Sequence, residues 1–168
     1  MKLVLYDQPD LFEQLKPEWN DLLARSSANT VFGTWEWHVT WWRVYQPGDL
    51  WVVACRDDAG QLVGLAPWCL VEGEAGRVVS AIGCVDVTDY VDIIVDVRYA
   101  ESVMRCFAAF LADHRDRYTA VRLCNIPQSS PTLTYLPDLL TACGFTTVVE
   151  QMEVCPVIPL PEDWEAYT

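Results

Sequence analysis

Tyr90-Val91-Asp92-Ile93-Ile94-Val95-Asp96, followed within two residues by the run from Arg98 to Arg115, decides the fold. Alternation sets Tyr90, Asp92, Ile94 and Asp96 on one face of a strand and Val91, Ile93 and Val95 on the other, so the sheet core is expected on the valine and isoleucine side. Val103, Phe107, Phe110, Leu111 and His114 then recur at helical spacing, with Arg105, Asp113 and Arg117 turned to water. A strand over Tyr118 to Asn125 follows. Ser130 is an N-cap with Pro131 at the first helical position, and Gly144 closes the helix they open, with a kink expected at Pro137. Phe145 to Ile158 reads as one or two terminal strands, bent or divided at Pro156.

Upstream, Lys2 to Tyr6 is a short strand, and Pro9 to Arg25 a helix expected to break near Lys16-Pro17, because proline has no N–H to donate to the preceding turn. Leu11, Leu15, Trp19, Leu22 and Leu23 form its apolar stripe. A polar connector, Ser26 to Gly33, leads to Thr34, which caps a second helix from Trp35 to about Tyr45 that Pro47-Gly48 ends. Trp51 to Cys55 and Leu62 to Val71 then form a hairpin across an Asp- and Gly-rich turn, and a second turn at Glu72 to Gly76 leads into a strand over Arg77 to Ile82. Gly83 to Asp89 is a loop. The sum is a mixed α+β (α/β) fold, one mixed sheet flanked by helices, with strand and helix alternating in the second half.

The 168 residues carry 11 Lys plus Arg against 24 Asp plus Glu, a formal charge of −13. Nucleic acid is a poor partner for such a surface, because neutralising phosphates requires clustered cations. With 52% apolar residues the chain can bury a core and reads as one domain, with no membrane-spanning run and no signal peptide, which points to the cytoplasm. The 7 cysteines include no CxxC pair and read as small core hydrophobes in a reducing compartment. With only His38 and His114 besides, no metal site is expected.

Phe32, Trp35-Glu36-Trp37, Trp41-Trp42, Leu62-Val63-Gly64-Leu65-Ala66-Pro67-Trp68, Ile82-Gly83 and Asp89-Tyr90-Val91-Asp92 occur in this order, and together they resemble the amino-terminal half of the CelD/BcsL-type acetyltransferases of the GNAT fold. Pro156-Val157-Ile158-Pro159-Leu160-Pro161 and Glu162-Asp163-Trp164 resemble the start of that family's second half, and the pattern is more distantly similar to Fem-type aminoacyl transferases. The resemblance implies a GNAT-like domain over residues 1–158, with 159–168 leading toward a second half. It implies a family chemistry of acyl transfer from acetyl-CoA or another acyl-CoA to an amine. Coenzymes of this kind rest their diphosphate on backbone amides in a glycine-rich turn ahead of a helix. Here that turn falls on Val97 to Val103, which has no glycine and carries Glu101. No cofactor is therefore expected on this chain, which alone should be inactive. The donor is expected on a second GNAT-like half, or on a homodimer partner that imitates one, with a small-molecule, amino-sugar or peptide acceptor.

Two groups of residues are candidates for the acceptor side. On the helix of Trp35 to Tyr45, Glu36, Thr40 and Arg43 form the one polar stripe; Trp35, Val39 and Trp42 form one apolar stripe, and Trp37, Trp41 and Val44 another. Trp37 and Trp41 either pack on the sheet or line a cleft for a flat substrate. His38 lies between the stripes and reads as a hydrogen-bonded core residue or a general base. Asp86, Asp89 and Asp92 recur every third residue around Tyr90. They serve either as turn residues that cap exposed amides or, with Tyr90, Asp89 and Asp92 foremost, as a polar clamp for the amine or hydroxyls of an acceptor. An alternative function is a stand-alone binding or scaffold module with the same fold.

Overall fold

In the computed structural model, residues 1–84, 87–156 and 158–159 are described. β1 (Lys2–Tyr6) leads to α1 (Leu11–Leu23) and α2 (Trp35–Tyr45), and then to a long hairpin whose two arms are each divided once. Its first arm is β2 (Gly48–Leu50) and β3 (Val52–Arg56), parted by Trp51; its second is β4 (Leu62–Ala66) and β5 (Trp68–Gly73), parted by Pro67. β6 (Gly76–Ala81), β7 (Ile94–Val95), α3 (Ala100–Asp113), β8 (Ala120–Arg122) and α4 (Pro131–Ala142) complete the chain. The strand orders are β1-β3-β4-β7 and β2-β5-β6-β8, antiparallel throughout except for the parallel pair β6 and β8.

Helices cover both faces of the hairpin, which is why its strands are apolar in consecutive positions rather than in alternate ones. Val53 and Cys55 join the core made with α3 and α4, around Trp51, Trp68 and Phe107. Val52 and Ala54 point the other way, into the core made with α1 and α2, around Leu11, Trp19 and Trp42. Helix α3 lies close enough to β4 that a Cβ on Gly64 would come within 2.4 Å of Val103 Cγ1.

The caps stand where the sequence placed them. Thr34 Oγ1 accepts the Trp37 N–H at 3.3 Å, Ser130 Oγ accepts the Thr132 N–H at 2.9 Å, and Gly144 ends α4 with φ at +83°. Four expectations are corrected. Helix α1 runs unbroken through Pro17, while α4 holds Pro137 inside one continuous helix. In α1, both Pro17 and Glu13, whose carbonyl the proline leaves unpaired, are exposed, so that carbonyl is not left buried without a partner. The strand expected over Tyr90 to Asp96 shrinks to Ile94–Val95, and that over Tyr118 to Asn125 shrinks to Ala120–Arg122. The cause is an excursion between β6 and β7 whose hydrogen bonds run to the chain beyond β8: the Val91 N–H donates to the Asn125 carbonyl at 3.2 Å, and Asn125 Nδ2 to the Thr88 carbonyl at 2.8 Å. Residues 145–156 form no strand, because no neighbouring strand pairs with them, and Val148, Val149, Met152 and Val154 are exposed.

Among the cysteines, Cys55 and Cys69 are buried as expected, whereas Cys143 and Cys155 are exposed. Cys84 and Cys124 are joined as a disulfide between the excursion and the segment after β8, a pairing that their separation of 40 residues conceals in the sequence. No described helix is long and apolar enough to cross a membrane, and the described residues contain no group of three or more His, Cys, Asp or Glu arranged to hold a metal ion.

Candidate functional site

The turn from β7 into α3 is built around one carboxylate. Asp96, with its side chain 1% exposed, accepts the Arg98 backbone N–H at 3.1 Å, and its oxygens also take the Arg98 guanidinium at 3.0 and 2.7 Å and Arg25 Nε at 2.9 Å. These donors, the Arg98 side chain foremost, hold the Asp96 carboxyl far below the usual carboxylate range. The neighbouring amides are engaged as well, Val97 N–H to the Arg25 carbonyl at 3.1 Å and Tyr99 N–H to the Asp96 carbonyl at 2.8 Å. Glu101, in the first turn of α3, pairs with Arg105 at 2.9 Å.

An amide turn accepts a diphosphate only while its N–H groups and local positive field are free. Here the Arg98 N–H is taken by the Asp96 carboxylate and the Val97 and Tyr99 N–H groups by backbone carbonyls. The residues at this turn therefore do not fit the diphosphate of an acyl-CoA. Beyond Ser80 and Arg122 the chains that continue the parallel strands β6 and β8 are bridged by the Val91 N–H to the Asn125 carbonyl and by Asn125 Nδ2 to the Thr88 carbonyl, and Val91, Ile93, Leu123 and Ile126 line a narrow hollow between them.

A second feature lies at the start of α2. Phe32, His38, Tyr90 and Asp92 line a narrow hollow, partly open to solvent, with room for about one water-sized group. Phe32 sits in the short turn Val31–Gly33 ahead of α2, and its ring lies 6.2 Å from that of Tyr90. His38 is held from below by the Trp19 ring at 5.0 Å, and Trp19 is fixed in turn by donating its indole N–H to the Gly33 carbonyl at 2.9 Å. The Nδ1 atom of His38 lies 3.0 Å from the Thr34 carbonyl, one helical turn back. A carbonyl only accepts, so Nδ1 carries the hydrogen and Nε2 is a bare lone pair. Nε2 is buried and has no partner among the described residues. Burial pushes the imidazole pKa down to about 4, so the ring is neutral at physiological pH.

Asp92 closes the other side. Its Oδ1 accepts the Thr132 hydroxyl at 2.6 Å and the Ile93 N–H at 2.8 Å, which anchors the excursion to the first turn of α4. Burial raises the Asp92 pKa, opposed by its hydrogen bonds.

Of the expected site residues, Tyr90 and Asp92 meet at this hollow, though from an extended segment rather than from one strand face. Trp37 stands edge-on to Phe32 at 4.9 Å, beside the hollow, with its buried indole N–H unpartnered. Trp41 is turned into the core of α1 and α2, its ring tilted against that of Tyr45 at 4.9 Å, and does not line the hollow. Asp89 is exposed next to Tyr90, and Asp86 lies outside the described residues. Phe32 was not among the site residues expected from the sequence, and His38 was weighed there without a partner. The signal for His38 was Thr34, whose carbonyl lies four residues back on the same helix. Arg25 was missed altogether; only its fold-level contact with Asp96 reveals it.

No family model and no curated protein sequence matches the chain. Solved structures do. A glucosamine-6-phosphate N-acetyltransferase from Arabidopsis thaliana superposes with a TM-score of 0.53 over 92% of this chain and 99% of its own, at 14% identity. A ribosomal-protein-alanine N-acetyltransferase from Brucella melitensis biovar Abortus 2308 gives a TM-score of 0.53 over 94% of this chain and 100% of its own, at 15% identity. The chain has the fold of the GNAT N-acetyltransferases.

Proposed function

We propose that this chain is the acceptor side of a GNAT-type N-acyltransferase, working beside a second half or a partner that holds the acyl-CoA, as in the CelD/BcsL-type and more distantly the Fem-type enzymes its sequence resembles. The observation that carries the reading is the turn before α3, where the Asp96 carboxylate accepts the Arg98 N–H and pairs with the guanidinium groups of Arg25 and Arg98. A domain with the fold of acyl transfer but with that turn closed on itself has lost the donor function and kept a polar, aromatic-lined hollow.

The chemistry expected of the pair is direct attack of an acceptor nitrogen on the thioester carbonyl. This chain's part is to orient the nucleophile and strip it of water, a contribution worth several orders of magnitude in rate when the reacting atoms are held in line. The apolar residues exposed on the segment after α4, Val148, Val149, Met152 and Val154, support a docking face for the second half.

The test is a transfer assay. The chain alone, given acetyl-CoA and amino-sugar or peptide amines, should show no turnover. This chain joined to a coenzyme-binding GNAT half should acetylate an acceptor amine, and the double variant Trp37→Ala, Asp92→Ala should abolish this while the protein stays folded. Turnover by the chain alone would overturn the reading.

A further inference from the structure

Past their last paired residues, Ser80 and Arg122, the chains leaving the parallel strands β6 and β8 are held together in two ways. One is polar: the Val91 N–H donates to the Asn125 carbonyl at 3.2 Å, and Asn125 Nδ2 to the Thr88 carbonyl at 2.8 Å. The other is covalent, the disulfide from Cys84 to Cys124 across 40 residues of chain. Beneath these ties lies the narrow apolar hollow of Val91, Ile93, Leu123 and Ile126, and Cys124 itself forms part of its wall. Val91 and Ile93 are buried there. Hydrogen bonds of this kind are exchanged for bonds to water at little net cost, whereas an intact S–S bond forbids the separation outright. The sulfur pair therefore decides whether the two chains part. Cys84 and Cys124 are both half-buried, unlike Cys55 and Cys69 in the cores, so a small thiol reaches them. Their Cα atoms stand 6.0 Å apart, a separation that a disulfide spans with no movement of the backbone, so the bond can re-form whenever the bonds to Asn125 bring the chains back into register.

We propose that Cys84 and Cys124 form a redox latch: oxidised, the pair holds the hollow between the chains beyond β6 and β8 shut; reduced, it lets Thr88 and Val91 draw away from Asn125 and opens the hollow to solvent. The reductant is a dithiol. Its thiolate attacks one sulfur of the Cys84–Cys124 bond, and its second thiol then displaces that sulfur, so the protein's S–S bond breaks, an S–S bond forms in the dithiol, and two electrons and two protons pass to the cysteines. Exchange with a small disulfide runs the same steps in reverse and closes the latch. The device stands independently of the acceptor-side reading, since it involves neither the turn before α3 nor the hollow at the start of α2.

Amide hydrogen exchange in the 168-residue chain tests this, measured after equilibration with oxidised glutathione and again after dithiothreitol, with peptide mass mapping to report the state of Cys84 and Cys124. On reduction the Val91 N–H should exchange about tenfold faster or more, because its opening is released from the covalent constraint. The Asp96 N–H, bonded to the Val63 carbonyl at 3.0 Å just past β7, should keep its rate, which separates a local opening from a general loss of stability. Return to oxidised glutathione should restore both the bond and the slow rate at Val91. The double variant Cys84→Ser, Cys124→Ser should show the fast rate with or without dithiothreitol, and the unmutated chain decides the matter should that variant fail to fold. Equal Val91 rates in the two states, a rise shared equally by Asp96, or a pair that stays as two thiols in oxidised glutathione would each overturn the proposal.

Discussion

Asp96 accepts the backbone N–H of Arg98, two residues ahead of it, at 3.1 Å, so the turn that opens α3 is closed on the chain's own carboxylate. Arg25, 71 residues away and just beyond α1, completes the clamp at 2.9 Å and so ties the first helix to the end of β7. The same contact occupies the Asp96 carboxylate with both arginines.

Asp96 is the buried member of this cluster, Arg25 and Arg98 being 31% and 63% exposed, so its removal costs the buried hydrogen bonds it accepts, about 1–3 kcal/mol. Asp96→Ala should therefore lower unfolding stability by about 1–3 kcal/mol in urea denaturation at pH 7. The sign with pH follows from the lowered Asp96 pKa. The contribution is complete above the unfolded value of about 4 and is lost as pH falls below it, and the variant should lack that acid-limb loss.

His38 acts in the pH range just above that of Asp96 and with the same sign. Its pKa falls to about 4 in the folded chain, so below about 6.5 the unfolded state binds a proton that the folded state refuses. Stability should drop by about 3 kcal/mol between pH 6.5 and 4 from this group alone. The difference between wild type and His38→Gln, measured by urea denaturation at several pH values, should carry that slope; a flat difference would contradict the burial assigned to the ring.

Asp92 has a raised pKa, so its charged form is the less favoured one in the fold and its contribution declines as pH rises through the folded value. Asp92→Asn keeps an acceptor for the Thr132 hydroxyl and should be as stable as wild type, or more so, at pH 7. Asp92→Ala orphans that buried hydroxyl and should cost about 1–3 kcal/mol. Thermal unfolding of the two variants side by side separates these outcomes.

Gly64→Ala tests the packing of α3 on β4. The new Cβ would meet the stiff, buried Val103 side chain at 2.4 Å, and overpacking of this kind costs about 1–3 kcal/mol. Gly60→Ala, in an open turn with no atom within 4 Å of the new Cβ, is the control for changes at exposed glycine, its φ of +85° adding only local strain.

Caps and stripes were legible because their causes are local. Thr34 and Ser130 each bond an amide two or three residues on, and Leu11, Leu15, Trp19, Leu22 and Leu23 all point into one core. The seven-residue strand expected at Tyr90 was not, because alternation cannot tell a ladder from an extended segment whose partner is Asn125, 34 positions further along and itself in a left-handed conformation at φ +55°. The missing glycines of the turn at 97–103 were plain in the sequence, and the physical reason they are missing was not. It required Arg25 and Asp96 to be seen together. Likewise Tyr90 and Asp92 carried a composition signal for the hollow, whereas His38 joined them only through the packing of α2 on α1.

Calorimetric titration of acetyl-CoA into the 168-residue chain bears most directly on the closed turn. With the amides of Val97, Arg98 and Tyr99 already bonded, no saturable heat is expected up to millimolar coenzyme. Saturable one-to-one binding at micromolar concentration, with the amide resonances of residues 97–99 moving as the coenzyme is added, would show that the Asp96 clamp yields to a diphosphate and would contradict the assignment of this chain to the acceptor side.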